Sequence, residues 1–367
     1  MSAPFFDDNA IVAFVPTLRN LMIRLSIAAL LGATLPAIPF PALAGDTYGF
    51  HFTHKDWELA CDNTRTCRAA GYQEDDGRLP AVSVLLERQA GAGQPVIAKV
   101  RIGDYAEDAP RPQSSTLAMS IDRKPQGDVQ LDPQTSTARL GTAQMEALVR
   151  ALAKDSVVQW TDGHQAWTVS GKGAAAVLLK MDEYQRRIGT HTALIRRGNR
   201  GEEKVAAAVP VPEISPASAG STEVDLPPAA RAALLREVRG TIGKEDCSGF
   251  AADRLAALRL TPEKLLVQVP CWTGAYNEGT AFWIANRTAP YSPVLVTLDG
   301  SDYAAGVVSA TQKGRGLGDC WRTQEWVWDG RRFMLAEDAT TGMCRMVAAG
   351  GAWKLYTYTA KVTRGSR

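Results

Sequence analysis

Six cysteines offer the richest chemistry in this chain, as disulfides, nucleophilic thiolates or metal ligands. They fall as three sequence-local pairs, Cys61/Cys67, Cys247/Cys271 and Cys320/Cys344. Both longer spacings, 271 minus 247 and 344 minus 320, are 24. An even count with this order favours local disulfide pairing. Each longer bridge would constrain the unfolded chain by roughly 3 to 4 kcal/mol in the chain-entropy description. Zinc is the competing use, but there is no Cys-x2-Cys pair, and His51, His54, His164 and His191 lie far in sequence from the C-terminal cysteines. His51, His54 and Asp56 have chelating chemistry, yet their place near a strand start favours solvated or half-buried imidazoles. Neither a metal nor a cofactor is expected.

The segment Lys313-Gly314-Arg315-Gly316-Leu317-Gly318-Asp319 combines flexible backbone with two cations and ends on Cys320. Its amides and side chains could cradle an anion. A nucleotide phosphate loop, however, follows a strand and opens a helix, whereas this one runs into a cysteine and a hairpin. A bridge from Cys320 to Cys344 would bring Arg345 near it, making Lys313, Arg315, Asp319 and Arg345 the candidate binding surface. Trp326 and Trp328 are a second candidate, because alternate residues of a strand share a face; the competing reading is that they are core. The acidic tip Glu74, Asp75 and Asp76 reads as a solvated turn. No catalytic set is identifiable: Ser83, Ser170 and Ser301 lack a Gly-x-Ser-x-Gly setting, and residues 230–367 contain no histidine. Paired carboxylates for glycoside hydrolysis depend on tertiary spacing and stay open.

The elements that hold these residues begin after an expected export signal. From Met22 the chain has a short basic start, an apolar run interrupted by Pro36, Pro39 and Pro41, and a small-residue site at Ala42, Leu43 and Ala44. Cleavage between Ala44 and Gly45 is expected, with Met22 as the true start because Asp7 and Asp8 do not suit a signal n-region. The run is shorter than the roughly 18 to 20 apolar residues a spanning helix needs, so no membrane span is expected after cleavage. No cysteine follows the site to take a lipid. Export places the protein in the periplasm or outside the cell, where disulfides persist.

A hydrophobic content of 45% and a net charge of +2 describe an ordinary globular chain. There is no basic excess of the kind nucleic-acid binding requires. Roughly 320 residues remain after cleavage, about two domains by size. Residues 200–229 are rich in Ala, Pro and Ser with few large apolar groups, and read as an extended interdomain linker. The expected organisation is a β-sandwich-like domain at 45–199 and a Trp-rich β domain at 230–367. In the first, Cys61 and Cys67 close a hairpin, residues 81–88 form a strand, residues 142–154 form an amphipathic helix capped by Thr142, and Asp162-Gly163 turns a second hairpin. In the second, a helix covers 228–238 and Asp329-Gly330 turns the hairpin carrying Trp326 and Trp328. Six of the nine tryptophans lie there, so aromatic burial is expected to dominate its core. The fold class is thus mainly β with a few helices (α+β), disulfide-stapled.

Several blocks around the cysteines resemble the DUF1176 family of exported bacterial proteins of unknown function. They are residues 54–58 running into Cys61–Cys67 and on to Tyr72, residues 313–320, the Glu325-Trp326-Val327-Trp328-Asp329-Gly330 hairpin, and Cys344-Arg345. The resemblance covers nearly the whole mature chain and carries no catalytic residues with it. The chain departs from the family pattern at Trp321, where a small residue is expected. Residues 45–199 also resemble exported proteins of the invasion-associated locus B type, through Trp57, Cys61 and residues 157–178, which implies an all-β core with a late helix.

These readings favour a non-enzymatic binding or envelope-interaction protein, with an envelope protein or glycan as partner, an inhibitor of an external hydrolase being one form of it. A cell-envelope hydrolase with unidentified catalytic residues is the alternative. A cleft holding carboxylates of shifted pKa would favour the latter.

Overall fold

The computed structural model describes residues 48–363 except 77–79, 108, 155 and 244. The expected signal, its Ala44/Gly45 cleavage site and the Met22 start lie outside the described residues, as does Gly77 of the acidic turn. In the first half the chain runs β1 (Phe50–His54), β2 (Trp57–Cys61), β3 (Cys67–Tyr72), β4 (Val82–Arg88), β5 (Val96–Ile102), β6 (Thr116–Ile121), β7 (Lys124–Gln130), β8 (Thr137–Arg139), α1 (Thr142–Leu152), β9 (Val158–Thr161), β10 (Ala166–Val169) and α2 (Ala174–Tyr184). An antiparallel six-stranded sheet, β1-β2-β3-β4-β5-β8, faces a four-stranded sheet, β10-β9-β6-β7. Between them lies one core, with Trp57, Leu86, Leu117, Trp160 and Trp167 from the strands, Leu148 and Leu152 from α1, and Leu178 and Met181 from α2.

Local sequence accounts for most of these elements. Cys61 and Cys67 are directly opposed across β2 and β3 and bonded to each other, so the bridge closes the hairpin at its last rung. The turn at Asp162 and Gly163 joins β9 to β10, with Asp162 Oδ1 accepting the His164 and Gln165 N–H groups. Helix α1 is capped one residue earlier than expected, at Gly141, whose N–H donates to the Gln144 side chain. Helix α2 supplies the late helix that the second resemblance implied.

The second half contains β11 (Glu213–Ile214), β12 (Thr222–Glu223), α3 (Pro228–Arg239), β13 (Ala256–Arg259), β14 (Lys264–Thr273), β15 (Glu278–Asn286), β16 (Val294–Gly300), β17 (Asp302–Ala304), β18 (Val307–Lys313), β19 (Trp321–Trp328), β20 (Phe333–Thr340), β21 (Leu355–Thr359) and β22 (Lys361–Val362). Two five-stranded sheets, β12-β13-β14-β15-β16 and β17-β18-β19-β20-β21, meet through Leu266, Phe282, Val308, Trp328 and Phe333. On its other side the first of them packs against α3 through Leu234, Val238 and Trp283. The tryptophan expectation needs correction: Trp283 and Trp328 are fully buried, but Trp272, Trp321, Trp326 and Trp353 are only partly so, while Trp57, Trp160 and Trp167 of the first half are all fully buried. Aliphatic side chains on long strands fill much of the second core, and four indoles are left near its edges.

The second disulfide ties the chain beyond α3 to this core. Cys247 is bonded to Cys271 of β14, and both belong to the cluster that holds Leu234 and Trp283. Cys271 stands where the register of β14 against β15 shifts, between Pro270 and Trp272, and its carbonyl accepts the Gly249 N–H at 2.7 Å. It is fully buried, so Cys271 drops out as a residue a ligand could touch and serves only as a staple.

The expected linker 200–229 turns at residues 202–205 and gives Pro228 and Ala229 to α3; the stretch between is mostly extended, yet it does not run free. Glu213–Ile214 pairs in parallel with Lys361–Val362, Val209 N–H donates to Thr64 O, and Ala217 N–H donates to Trp328 O. Its backbone is held by the β2–β3 loop of the first half and by β19 and β22 of the second. The last part of the chain makes a further connection: Val347, Ala352 and Leu355 cover Ala60, Ala70, Tyr72 and Leu85 on the outer face of the first sheet. This explains why β2 is buried at every position despite its alternating sequence. The chain is therefore mainly β with three helices among the described residues, several sheets and three disulfides.

Candidate functional site

The glycine-rich loop joins β18 to β19 and is folded against the Cys320–Cys344 bridge. Gly314 is required there, because a β-carbon would come within 2.6 Å of the Cys320 sulfur. Arg315 lays a bidentate ion pair on Asp319, with N···O distances of 2.8 and 2.6 Å. Asp319 is 1% exposed and accepts a third bond from the Met346 N–H at 2.7 Å. Burial works to raise its pKa, but the Arg315 and Met346 donors outweigh burial and hold it below the ordinary carboxylate range. Asp319 is also within 4.8 Å of both bridge sulfurs, but a disulfide offers no thiolate to a metal.

The bridge does bring residues 344–346 to the loop, although the Arg345 side chain turns away. It bonds Asp56 at 2.9 Å and approaches Asp75 at 3.3 Å. Lys313 sits 5.3 Å above the Trp321 ring, whose indole N–H donates to Gly318 O at 2.8 Å. Trp321 therefore closes the loop. Lys313, Arg315 and Arg345 are brought into one region, each already matched to a partner. The Trp328 ring is in the core, 5.5 Å from Phe333, and presents no face to solvent; Trp326 packs part-buried against the same cluster.

A different set assembles where the two halves meet. Glu58 on β2 has a side chain only 3% exposed. One of its oxygens accepts the Tyr72 hydroxyl at 2.6 Å and the Met343 N–H at 2.7 Å, and the other contacts His51 Nε2 at 2.8 Å. Burial raises the Tyr72 pKa well above its ordinary value, and the neighbouring carboxylate adds to the effect. Gly342, at φ +95°, makes this approach possible, because a β-carbon there would lie 2.2 Å from the Tyr72 oxygen.

His51, 36% exposed, faces a hollow of about 320 Å³ lined also by Thr53, Gln312, Trp321, Thr340 and the Cys320–Cys344 pair. Two residues of that lining each carry a buried atom without a hydrogen-bond partner, Gln312 Oε1 and Thr340 Oγ1. Such atoms are rare in folded proteins and are commonly completed by a bound molecule or water. They stand on β18 and β20, the two strands that flank β19, whose Arg322 is in register with both Gln312 and Thr340.

The chelating set His51, His54 and Asp56 is not brought together: Glu58 takes His51, Arg345 takes Asp56, and residues three apart on a strand face opposite sides. The serines are also occupied. Ser83 Oγ donates to Gly71 O and accepts from the Trp353 indole, Ser170 Oγ accepts the Lys172 N–H, and Ser301 Oγ exchanges bonds with the Thr311 backbone. Sequence reasoning missed Glu58 and Tyr72. Alternation gave no signal, because Glu58 falls on the outer face of β2 with Ala60 and reads there as a solvated carboxylate.

Invasion associated protein b from Bartonella henselae, known from a crystal structure, is 14% identical with a TM-score of 0.26, covering 37% of this chain and 99% of that one. That likeness is too slight to carry an argument. The uncharacterized protein YpfG of Escherichia coli (strain K12) is 26% identical over 319 residues, 81% of this chain and 90% of the relative. The family described as protein of unknown function (DUF1176) matches residues 51–360. With most of its length and all three disulfides inside that match, the chain belongs to the DUF1176 family.

Proposed function

We propose that this is an exported, periplasmic or secreted, non-enzymatic binding protein whose ligand seats in the hollow between His51, Gln312, Trp321 and Thr340. The unpartnered Gln312 Oε1 and Thr340 Oγ1 carry the reading, because both belong to residues that line one concave site, just beneath its surface. An apolar hollow with a few convergent polar groups is the usual form of a small-ligand site. Gln312 Oε1 can only accept, Thr340 can donate or accept, and His51 adds a ring nitrogen oriented by Glu58. This array suits the hydroxyls of a glycan unit of the cell envelope. Three disulfides, the N-terminal signal pattern and the lack of thiolate chemistry support an extracytoplasmic setting.

The test is retention of purified cell-wall fragments on immobilised mature protein. Thr340→Val and Gln312→Ala are expected to abolish retention that wild type shows, with Lys313→Ala/Arg315→Ala close to wild type. Loss in the loop double variant alone would move the site to the glycine-rich loop. Equal retention by all variants would overturn the proposal.

The envelope hydrolase remains the second reading because of one observation, the His51–Glu58 pair at the mouth of the hollow. A carboxylate behind an imidazole is how a general base is oriented. Turnover of the same fragments that vanishes in His51→Ala would establish it; binding without turnover supports the binding protein.

A further inference from the structure

The densest run of positive charge lies at 186–204, immediately after α2. It contains Arg186, Arg187, Arg196, Arg197, Arg200 and Lys204 against Glu202 and Glu203. Its interior is closed electrostatically. Arg187 is fully buried and donates to Glu202 at 2.7 Å, to the Gln185 side chain at 3.0 Å and to Gly91 O at 2.6 Å. Arg88, 4% exposed, donates to Gln94 O and Thr192 O, and buried Asp182 accepts the Leu194 and Ile195 N–H groups. Two buried cations thus face two carboxylates. Burial, reinforced by Arg187, brings the Arg88 pKa down to about 10, and burial lowers that of Arg187. This neutral interior makes the loop a fixed frame.

On that frame opens a hollow of about 550 Å³, and four cations line it from three separate segments: Arg65 from the β2–β3 hairpin, Arg186 from the end of α2, and Arg200 and Lys204 from the following loop. Among the described residues none of the four meets a carboxylate within ion-pair distance. Arg65 and Arg200 donate instead to backbone carbonyls, of Ala207 and Ile188. Of the acids in the lining, Glu183 is taken by Lys180 at 2.9 Å, and Glu203 folds back against Gly201. The lining thus sets four cations against two carboxylates, an excess of like charge that repels itself.

Arg186 adds a conformational observation. Its N–H bonds Glu183 O and that of Arg187 bonds Asp182 O, the two-bond ending of a helix whose middle residue is left-handed and usually glycine. Here arginine holds φ +57°. A residue ill suited to the backbone is kept where its guanidinium borders the hollow.

We propose that this hollow binds a multiply charged oxyanion of the phosphate class, a phosphate monoester or a diphosphate. Three guanidinium forks from different segments suit the several oxygens of such a group. The site is separate from the hollow at His51 and does not depend on it.

The experiment is calorimetric titration of the mature protein with inorganic pyrophosphate and with orthophosphate at physiological salt. Sedimentation with vesicles of phosphatidic acid in phosphatidylcholine distinguishes a lipid headgroup from a free phosphate. One saturable site is expected, weakened at least tenfold in Arg65→Gln/Lys204→Gln and in Arg186→Gly, and unchanged in Arg150→Gln on α1. Arg186→Gly suits its backbone better than arginine, so its loss of binding is not a loss of folding; circular dichroism with a thermal melt verifies this. No saturable binding of any of the three probes by wild type, or equal weakening by Arg150→Gln, would overturn the proposal.

Discussion

Two loops carry concentrated positive charge, and they treat it in opposite ways. In residues 313–320 each cation is consumed locally: Arg315 by Asp319, and Lys313 by the Trp321 ring. In residues 185–207 the pairing is confined to the interior, where Arg187 meets Glu202, while Arg186, Arg200 and Lys204 line an open hollow. The glycine-rich loop has the sequence appearance of an anion cradle, whereas the arginine-rich loop looks like a solvated charge run. Availability is decided by partners, and partners are a tertiary property.

The largest expected effect lies in the buried frame. Arg187→Ala should destabilise the fold by about 3 to 5 kcal/mol, since it strands Glu202 and the surrounding carbonyls. Guanidinium denaturation monitored by tryptophan fluorescence reads this directly, and a change below about 1 kcal/mol would mean that the quartet does not fix the loop.

Next comes Asp319→Asn, at about 1.5 to 3 kcal/mol for its charge-assisted bonds. The native pKa of Asp319 is depressed, so its contribution is present above the unfolded aspartate range, near about 4. It should fade as the pH falls through the lower native value. Urea midpoints of variant and wild type should therefore differ at pH 7 and converge in strong acid. A gap independent of pH would assign the effect to packing.

Arg186→Gly should act with the opposite sign, raising stability by on the order of 1 kcal/mol, because glycine enters the left-handed region without a β-carbon. A fall in melting temperature would show that the guanidinium stabilises the helix end. Smallest is Lys313→Gln, at about 0.5 kcal/mol for an accessible cation over a ring. A cost several times larger, by chemical denaturation, would place Lys313 in a tighter role than its distance from Trp321 gives it.

What was legible in sequence was local. The Cys61–Cys67 hairpin, the Asp162-Gly163 and Asp329-Gly330 turns and helices α1 and α3 follow from alternation, helical spacing and turn residues that act over a few positions. The three disulfides followed from order and spacing, although nothing local told that Cys271 would sit at a break in strand register. The candidate site was legible only in its loop and cysteines. Glu58 meets Met343 across 285 positions, and Ser83 meets Trp353 across 270; no periodicity encodes such pairs. Nor does composition show that a proline-rich stretch will be ordered once distant segments accept its backbone, as β22 does for Glu213 and Ile214.

The covering of β2 by the far end of the chain bears on how the molecule comes into being. Asn63 both donates to Thr359 O and accepts the Thr359 N–H, 296 positions away, and Leu355 lies over Ala60 and Ala70. Polypeptide is made from its N-terminus, so the first sheet must wait with its outer face bare until the final strands emerge. Contacts of such span are closed late and slowly, and an exposed face held in waiting is prone to self-association. A chain stopped just after β20 should keep the early hairpin yet accumulate as aggregate, because Val347, Ala352 and Leu355, which finish the first sheet, are made long after it.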